Sequence, residues 1–443
     1  MKNSLARNFN LRSLLFFALP TIVMMVFMSL YTMVDGVFVS RFVGTDALSA
    51  VNIVFPLVSV VIAVGIMLAT GASAILAKEM GQGQDTLSRK HFSFIILVGL
   101  VLGLLISVAG FLFLPEMLLL LGANEVLYTL CHEYTWVLLW FVPMAVLQML
   151  FQTLFVTAGR PGLGLIVTVA GGVANIVLDY VFIVPMGMGI SGAALATGIG
   201  YSIPAVFGVF YFALNRKGTL YFVKPVFDGK MLLKSCTNGS SEMVTNLSTA
   251  VTTYLFNILM LRYVGEDGVA AITIVLYAQY LLTAVFLGYS TGIAPVVSYN
   301  FGSRNTNQLK KVFKISLLFI GVVSLLTFAM AHLFSRVITG VFTPPGTAVF
   351  ELTISGFHIF AFAFLFMGVN IFASALFTAL SNGKVSALLS FVRTFVFIVA
   401  ALLLLPQVIG LTGIWLAIPL AEGLGLFFSL VFLGKKRKGY GYA

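Results

Sequence analysis

The chain has 443 residues, of which 60% are hydrophobic and only 9% are charged, and its formal net charge is +11. So apolar a composition excludes a soluble globular protein. Apolar runs repeatedly reach about 20 residues, the length that a membrane-spanning helix needs, so the sequence predicts an all-α polytopic membrane protein.

The apolar runs predict twelve spans, and the basic residues indicate how these spans are oriented. Of the 25 lysines and arginines, 21 fall in the loops of one side, three in the loops of the other side and one within a span. This bias indicates an even number of spans with both termini in the cytoplasm, and it leaves no reason to expect binding to nucleic acid. The predicted spans cover residues 14–38, 48–77, 92–114, 134–157, 163–184, 190–213, 235–261, 268–298, 312–335, 350–378, 385–405 and 411–433.

Polar residues interrupt three of the N-terminal spans. In the fifth span, Asn175 and Asp179 lie four residues apart, which places them on one face of a helix. A carboxylate at membrane depth costs about 2.5–3.5 kcal/mol on insertion scales, so it either holds two helices together or marks an ion or substrate path. Asp35 lies near the outer end of the first span and Thr197 near the outer end of the sixth, so all four side chains have a similar depth.

The two halves of the chain are related by an internal repeat of 221 residues. The shift places residues 41–46 (Arg-Phe-Val-Gly-Thr-Asp) over 262–267 (Arg-Tyr-Val-Gly-Glu-Asp), and it pairs Pro185 with Pro406. Each half holds six spans, so both halves have the same orientation and form two lobes whose rocking would give alternating access. We expect an N-terminal lobe at 1–214, a basic cytoplasmic linker at 215–234 and a C-terminal lobe at 235–443.

The polar set of the N-terminal lobe has no counterpart in the other lobe. The positions equivalent to Asp35, Asn175, Asp179 and Thr197 are occupied by apolar residues, namely Phe256, Val396, Ala400 and Ile418. Two carboxylates in one low-dielectric lobe cannot both stay ionised at low cost. They would bind a proton, or a Na⁺ ion whose oxygen shell the amide and the hydroxyl complete. The sequence leaves both ions open, and we expect no other cofactor.

The C-terminal lobe has three charged residues within its spans. Glu242 lies in the inner third of the seventh span, Arg393 at a similar depth in the eleventh and Glu422 near the middle of the twelfth. Glu242 and Arg393 are candidates for a structural ion pair, and Glu422 is a candidate for attracting a cationic substrate. The tenth span has no acid between residues 360 and 380, which favours the N-terminal lobe as the coupling site.

Four motifs, in order on the six-plus-six repeat, are typical of one family. They are Ala18-Leu-Pro20 in the first span, residues 35–44 at its outer end, Asn175-Ile-Val-Leu-Asp179 in the fifth span and residues 192–197 in the sixth. On these motifs the chain resembles the multidrug and toxic compound extrusion (MATE) family over nearly its whole length. In that family a proton or Na⁺ gradient drives the export of drug-like, often cationic, organic compounds.

The resemblance implies roles for particular residues. The cation site would consist of Asp35, Asn175, Asp179 and Thr197, with Tyr134 of the fourth span in the surrounding network. Pro20 removes a backbone hydrogen bond and permits a kink in the first span. Bending there would couple ion binding at the site to the shape of the cavity, and a static kink needed for packing is the alternative.

The expected function is therefore a secondary antiporter that exports lipophilic, often cationic compounds in exchange for H⁺ or Na⁺. We expect a monomer in a bacterial plasma or inner membrane, in contact with membrane lipid. A lipid-linked precursor flippase of the same superfamily is the alternative, although twelve spans and an acidic N-terminal lobe argue against it. An enzyme is not expected, because beyond Asp35 and Asp179 no catalytic constellation shares one depth.

Overall fold

The computed structural model of the protein describes residues 4–123 and 125–442, so the predicted lobe ends at 1–3 and 443 lie outside the described residues. The predicted all-α membrane architecture is confirmed: twelve helices in the described part of the chain are long and apolar enough to cross a membrane. We number them as spans 1 to 12. They are Leu11–Val43, Asp46–Gly81, Asp85–Leu112, Leu127–Thr157, Pro161–Ile183, Gly189–Leu214, Gly229–Tyr263, Glu266–Gly302, Thr306–Leu333, Ala348–Ala379, Gly383–Ile409 and Leu411–Tyr440.

The spans follow the predicted apolar runs, and the largest differences, of seven residues, are at the starts of spans 3 and 4 and at the end of span 12. The predicted start of span 4 is residue 134, but the helix is already formed at Leu127 and so includes the polar residues His132 and Glu133. Glu133 is exposed, and the His132 ring stacks on Trp136 with centroids 5.9 Å apart. Polar side chains are tolerated there because a helix can extend past the hydrocarbon layer into the headgroup region.

Side-chain caps set where several helices begin. Asn10 and Ser13 form a capping box before span 1, in which each side-chain oxygen accepts a hydrogen bond from the backbone N–H of the other at 2.8 Å. Asp228 caps span 7 by accepting from the N–H groups of Met231 and Lys230 at 3.0 and 2.9 Å. These two bonds hold the pKa of the Asp228 carboxyl below its usual range.

The predicted internal repeat is visible in the backbone. Gly189 and Gly410 are equivalent positions, and both lie in the left-handed region that glycine favours, with φ of 58° and 59°. Each stands at the start of the last span of its half. Short helices at Leu114–Leu120 and Ser335–Phe342 also occupy equivalent places, after spans 3 and 9. The two halves therefore share one fold.

Helix packing repeats in the same way. In the first half, span 4 packs against spans 2, 3 and 6, and span 5 packs against spans 1 and 6. In the second half, span 10 packs against spans 8, 9 and 12, and span 11 packs against spans 7 and 12. The two lobes meet where span 2 contacts spans 7 and 8 and where span 1 contacts span 8.

One contact between the lobes obeys a two-fold relation. A Cβ on Gly81 would overlap the carbonyl group of Tyr299, and a Cβ on Gly302 would overlap the carbonyl group of Lys78. Gly81 and Gly302 are equivalent in the repeat, and so are Lys78 and Tyr299. Each lobe thus presents the same surface to the other, as at an isologous interface.

A second glycine pair closes the same side of the molecule. Gly71 in span 2 and Gly239 in span 7 each lie so near the backbone of the opposite span that a Cβ would overlap it. On this side Gln308 also donates from Nε2 to the carbonyl oxygen of Phe9 at 3.1 Å. The glycines and Gln308 lie in the halves of their spans that are nearest the basic loops, and Phe9 precedes span 1 on the same side, so the lobes are closed against each other there.

We predict that Gly302→Ala opens the lobes on the basic-loop side. Overpacking against the Lys78 carbonyl costs about 1–3 kcal/mol, which would reduce the population of the closed state roughly fivefold or more. The half-buried thiol of Cys236 on span 7 should then react faster with a maleimide, whereas the other cysteine, Cys131, is fully buried. Gly321→Ala is the control, since no atom lies within 4 Å of its added Cβ. Equal labelling rates in both variants would contradict this role of the glycine contact.

Candidate functional site

Spans 5 and 6 bring Asn175 and Thr197 into contact. Asn175 and Asp179 are both fully buried, one helical turn apart on span 5. Two glycines let the spans approach, since a Cβ on Gly171 would lie only 2.7 Å from the carbonyl oxygen of Gly200. This close packing places the Asn175 amide 3.4 Å from the Thr197 hydroxyl, to which it donates a hydrogen bond.

Asp35 of span 1 lies beside Asp179 of span 5. The two carboxyl groups are close enough to share one proton in a hydrogen bond. In the described part of the chain, Asp35 Oδ1, both Asp179 carboxyl oxygens and Asn175 Oδ1 are buried without a hydrogen-bond partner. Buried acceptors that lack a donor are costly, so a proton or a cation would stabilise this cluster.

Three tyrosines surround the two carboxyl groups. Tyr134, which the resemblance implied, is buried and lies within electrostatic range of both Asp35 and Asp179. Tyr31 lies within range of both carboxyls and Tyr201 within range of Asp35, and neither was predicted. Their spacing contained a signal, because Tyr31 precedes Asp35 by four residues and Tyr201 follows the predicted threonine of span 6 by four. Each tyrosine therefore shares a helix face with a predicted site residue.

The site combines two carboxyls, one amide, one hydroxyl and three phenols within a single lobe. Carboxylate, amide and hydroxyl oxygens are the ligands that hard cations prefer. Neighbouring carboxyls can instead hold one proton between them, because two like charges in a low dielectric repel strongly. The arrangement can therefore bind and release H⁺ or a small monovalent cation in the half of the lobe away from the basic loops.

Pro20 lies far from the carboxyl cluster and close to the other lobe. It is 15 residues before Asp35, or about 22 Å of helix, within the α-helix Leu11–Phe38. The adjacent stretch of span 1 packs tightly on span 8, where a Cβ on Gly288 would lie 2.8 Å from the carbonyl oxygen of Thr21. A change in bend at Pro20 would thus be felt at the contact between the lobes.

The charges of the C-terminal lobe pair differently from the prediction. The predicted ion pair between Glu242 and Arg393 is wrong: Arg393 Nη1 lies 2.8 Å from Glu422 Oε1. The prediction rested on the similar depth of Glu242 and Arg393, and depth does not determine which neighbouring span a side chain faces; Arg393 lies in a π-helical segment, Val392–Phe397, that contacts span 12. Glu242 stays half-buried at the boundary between the lobes.

Both carboxylate oxygens of Glu422 have partners, since Oε1 is paired with Arg393. Its Oε2 accepts a hydrogen bond from Asn370 Nδ2 at 2.7 Å, and Asn370 Oδ1 in turn accepts from the Ser429 hydroxyl at 2.8 Å. Only 3% of the Glu422 side chain is exposed. A neutralised and buried carboxylate cannot attract a substrate from the cavity, so this predicted role loses its basis.

The fold and the site together define a class of protein. Twelve spans in two repeat-related lobes, with a buried polar cluster at membrane depth in one of them, are the architecture of a secondary transporter. The sequence then places the chain more closely: it belongs to the MatE family, whose model matches residues 20–181 and 243–403. The two matched segments fall one in each half at nearly equivalent positions, so the predicted MATE resemblance is confirmed.

Individual proteins agree with this assignment. The chain is 22% identical over 414 residues to the multidrug export protein MepA of Staphylococcus aureus (strain bovine RF122 / ET3-1), a match that covers 93% of this chain and 91% of the relative. A crystal structure of MATE in complex with MaL6 superposes with a TM-score of 0.94 at 21% identity, over 100% of both chains. The outward-facing conformation of a multidrug resistance MATE family transporter of the MOP superfamily superposes with a TM-score of 0.93 at 22% identity, over 100% of this chain and 99% of that chain.

We predict that Glu422→Gln destabilises the protein. Removing one partner of a buried ion pair costs about 3–5 kcal/mol because the other charge, here that of Arg393, is left uncompensated. The free energy of unfolding in detergent measures this loss. The double variant Arg393→Met/Glu422→Leu removes both charges and should recover most of it. Glu351→Gln, at an exposed position in the same lobe, should change stability by less than about 0.5 kcal/mol.

Proposed function

We propose that the protein is a secondary antiporter that exports lipophilic, often cationic organic compounds from the cytoplasm in exchange for H⁺ or Na⁺. The observation that supports this most is the cluster of buried acceptor oxygens at Asp35, Asn175 and Asp179. Such a cluster is stable when a cation is bound and costly when it is empty, so its occupancy changes the free energy of the lobe. The name of the relative MepA, a multidrug export protein, supports organic substrates.

Exchange follows if the ion and the substrate compete for the N-terminal lobe. An organic cation is attracted while Asp35 and Asp179 carry net negative charge, and a proton or Na⁺ removes that attraction. Each ligand then weakens the binding of the other by a coupling free energy of about 1–3 kcal/mol. The ion gradient drives export because the ion binds from the outside and expels the substrate there.

Movement of the two lobes against each other would provide the alternating access. The basic loops lie in the cytoplasm in this proposal, so the lobes are closed on the cytoplasmic side. In this conformation the protein would release substrate to the outside and take up the coupling ion. The return step requires the glycine contacts between spans 2, 7 and 8 to separate. Pro20 lies beside the contact between spans 1 and 8, so a bend there would transmit ion binding to the lobe interface.

Substrate selectivity would come from the walls around the carboxylates. Tyr31, Tyr134 and Tyr201 offer aromatic faces that attract organic cations through the ring quadrupole. Both lobes and the four-residue site belong to one chain, so a monomer is sufficient for transport. We place this monomer in a bacterial plasma or inner membrane with both termini in the cytoplasm.

A lipid-linked precursor flippase is the alternative function. It would need basic side chains in the cavity to hold the phosphates of its substrate. Arg393 is the basic residue at membrane depth, but its guanidinium is paired with Glu422 and its side chain is only 10% exposed. This pairing favours export of cations over movement of phosphorylated lipid.

Asp179→Asn should abolish gradient-driven efflux of ethidium from cells that express the protein at the wild-type level. An amide can neither exchange a proton nor compensate the charge of Na⁺, so the coupling step is lost. Asp267→Asn is the matched control, because Asp267 is exposed in the first turn of span 8, and it should leave efflux unchanged. Full efflux by Asp179→Asn would contradict coupling through the N-terminal lobe.

Liposomes with separately imposed proton and Na⁺ gradients identify the coupling ion. We expect one of the two gradients to drive ethidium movement by the wild-type protein, and neither to drive it in Asp179→Asn. Movement of ethidium that is indifferent to both gradients would contradict antiport. Selective movement of a lipid-linked phosphate, with no movement of ethidium, would favour the flippase.

A further inference from the structure

Two arginines lie over one tyrosine ring on the basic-loop side of the N-terminal lobe. The guanidinium carbon of Arg89, near the start of span 3, is 4.4 Å from the centroid of the Tyr221 ring, and that of Arg216, just after span 6, is 5.7 Å from it. The negative face of the ring attracts each guanidinium. The two positive charges repel each other, so an anion bound beside them would stabilise the arrangement.

Backbone carbonyl groups hold both guanidinium groups in place. Arg89 Nε donates to the carbonyl oxygen of Thr219 at 3.0 Å, and Arg216 Nη1 donates to that of Phe222 at 2.6 Å. Among the described residues, the two guanidinium groups form no other hydrogen bond. Both Nη groups of Arg89 therefore remain to donate to a ligand, in the forked geometry that suits a phosphate.

Neither arginine is neutralised by an acidic side chain. In the described part of the chain, no carboxylate oxygen lies within 4.0 Å of either guanidinium. The two acids that face His91, two residues after Arg89, have other partners. Glu79 lies 2.8 Å from the His91 ring, and Asp228 caps span 7. The positive charge beside Tyr221 is thus open to an external anion.

The segment between spans 6 and 7, which carries Tyr221, is fixed to the N-terminal lobe. Thr219 Oγ1 donates to the carbonyl oxygen of Ala158 at 3.2 Å, and the backbone N–H of Val223 donates to Ser93 Oγ at 2.9 Å. The ring next to Tyr221 packs on span 3 as well, with the centroids of Phe222 and Phe92 5.3 Å apart. A ligand of the two arginines therefore meets a preformed site, which reduces the ordering cost of binding.

Apolar side chains are exposed a few residues further along this segment. Val226 is 38% exposed and Phe227 is 78% exposed. The Phe227 ring packs edge-on against that of Phe94 in span 3, with centroids 5.5 Å apart. Exposed apolar side chains next to basic ones favour contact with the headgroup boundary of a membrane. A free anion would use the arginines alone, whereas a phospholipid would use both features.

We propose that Arg89, Arg216 and Tyr221 form a site for one anionic phospholipid of the leaflet on the basic-loop side. Its phosphate binds the two guanidinium groups, and an acyl chain contacts Phe227. A headgroup without a positive amine is favoured, because an amine would be repelled by the two arginines. This inference goes beyond the proposed antiport and does not depend on the coupling ion.

The internal repeat provides a matched control in the C-terminal lobe. The positions equivalent to the three site residues are Lys310, Arg437 and Tyr442. Tyr442 is buried, its hydroxyl donates to the carbonyl oxygen of Leu433 at 2.8 Å, and no lysine or arginine of the described residues lies over its ring. Lys310 and Arg437 are exposed. The same charges are therefore present in this lobe without the shared ring.

Native mass spectrometry of the purified full-length protein in a neutral detergent measures the binding. Phosphatidylglycerol is compared with phosphatidylcholine, which adds a positive choline group to the phosphate, and with glycerol 3-phosphate, which lacks acyl chains. We expect phosphatidylglycerol to bind at the lowest concentration. Equally tight binding of phosphatidylcholine would overturn the preference for an anionic lipid, and equally tight binding of glycerol 3-phosphate would overturn the assignment to a lipid.

Variants test the site residues. Arg89→Gln and Arg216→Gln should each raise the dissociation constant of phosphatidylglycerol roughly tenfold, because each removes a charge-assisted hydrogen bond to the phosphate. Arg216 is exposed, so its variant covers the case in which Arg89→Gln fails to fold. Tyr221→Phe keeps the ring and should bind as the wild type does. Lys310→Gln and Arg437→Gln should also keep the wild-type affinity, and a loss there as large as in the site variants would overturn the site in favour of diffuse attraction to basic loops.

Asp179→Asn separates this inference from the proposed antiport. It should bind phosphatidylglycerol with the wild-type affinity even though it loses efflux, since Asp179 lies in the half of the lobe away from the basic loops. Loss of lipid binding in Asp179→Asn would overturn the site beside Tyr221. Failure of antiport in liposomes would instead leave the binding and its dependence on the two arginines unchanged.

Discussion

Oxygen atoms of Asp35, Asn175 and Asp179 are buried without a hydrogen-bond donor in the described part of the chain. The free-energy cost of burying these acceptors is the main constraint on the N-terminal lobe. Buried acceptors without a donor are costly, so the proton or cation that we propose for this site would offset that cost. The glycines between spans 5 and 6 allow the approach that gathers these groups. Under the proposed function, occupancy of the site would therefore increase the stability of the lobe.

In the C-terminal lobe, the buried charges of Arg393 and Glu422 balance each other within the lobe. Arg393 and Glu422 neutralise each other, and Asn370 and Ser429 complete the network, so this ion pair needs no external ion. The repeat thus provides two copies of one fold: the polar cluster that we propose to bind the ion lies in the first copy, and the buried ion pair lies in the second.

Much of this architecture could be predicted from the sequence. A membrane span needs about 20 apolar residues, and the lysines and arginines of the loops indicate which loops lie in the cytoplasm. The four polar residues Asp35, Asn175, Asp179 and Thr197 could be predicted because the equivalent positions in the second half of the repeat are apolar. Tyr31 and Tyr201 were missed because aromatic residues are common here and only their four-residue spacing distinguishes them. The partner of Arg393 could not be predicted, since the depth of a residue in its span does not determine which neighbouring span its side chain faces.

The contact in which Gly81 and Gly302 each meet a backbone carbonyl has a consequence for the equilibrium between the closed and open states. Interfaces built from long side chains must immobilise rotamers each time they form, at about 0.5–1.5 kcal/mol for each rotamer-rich side chain. Glycine against backbone has no rotamer to immobilise, so closing this interface loses little conformational entropy and opening it regains little. The two states are then separated by a small entropic difference, and a single ion is a large enough perturbation to choose between them.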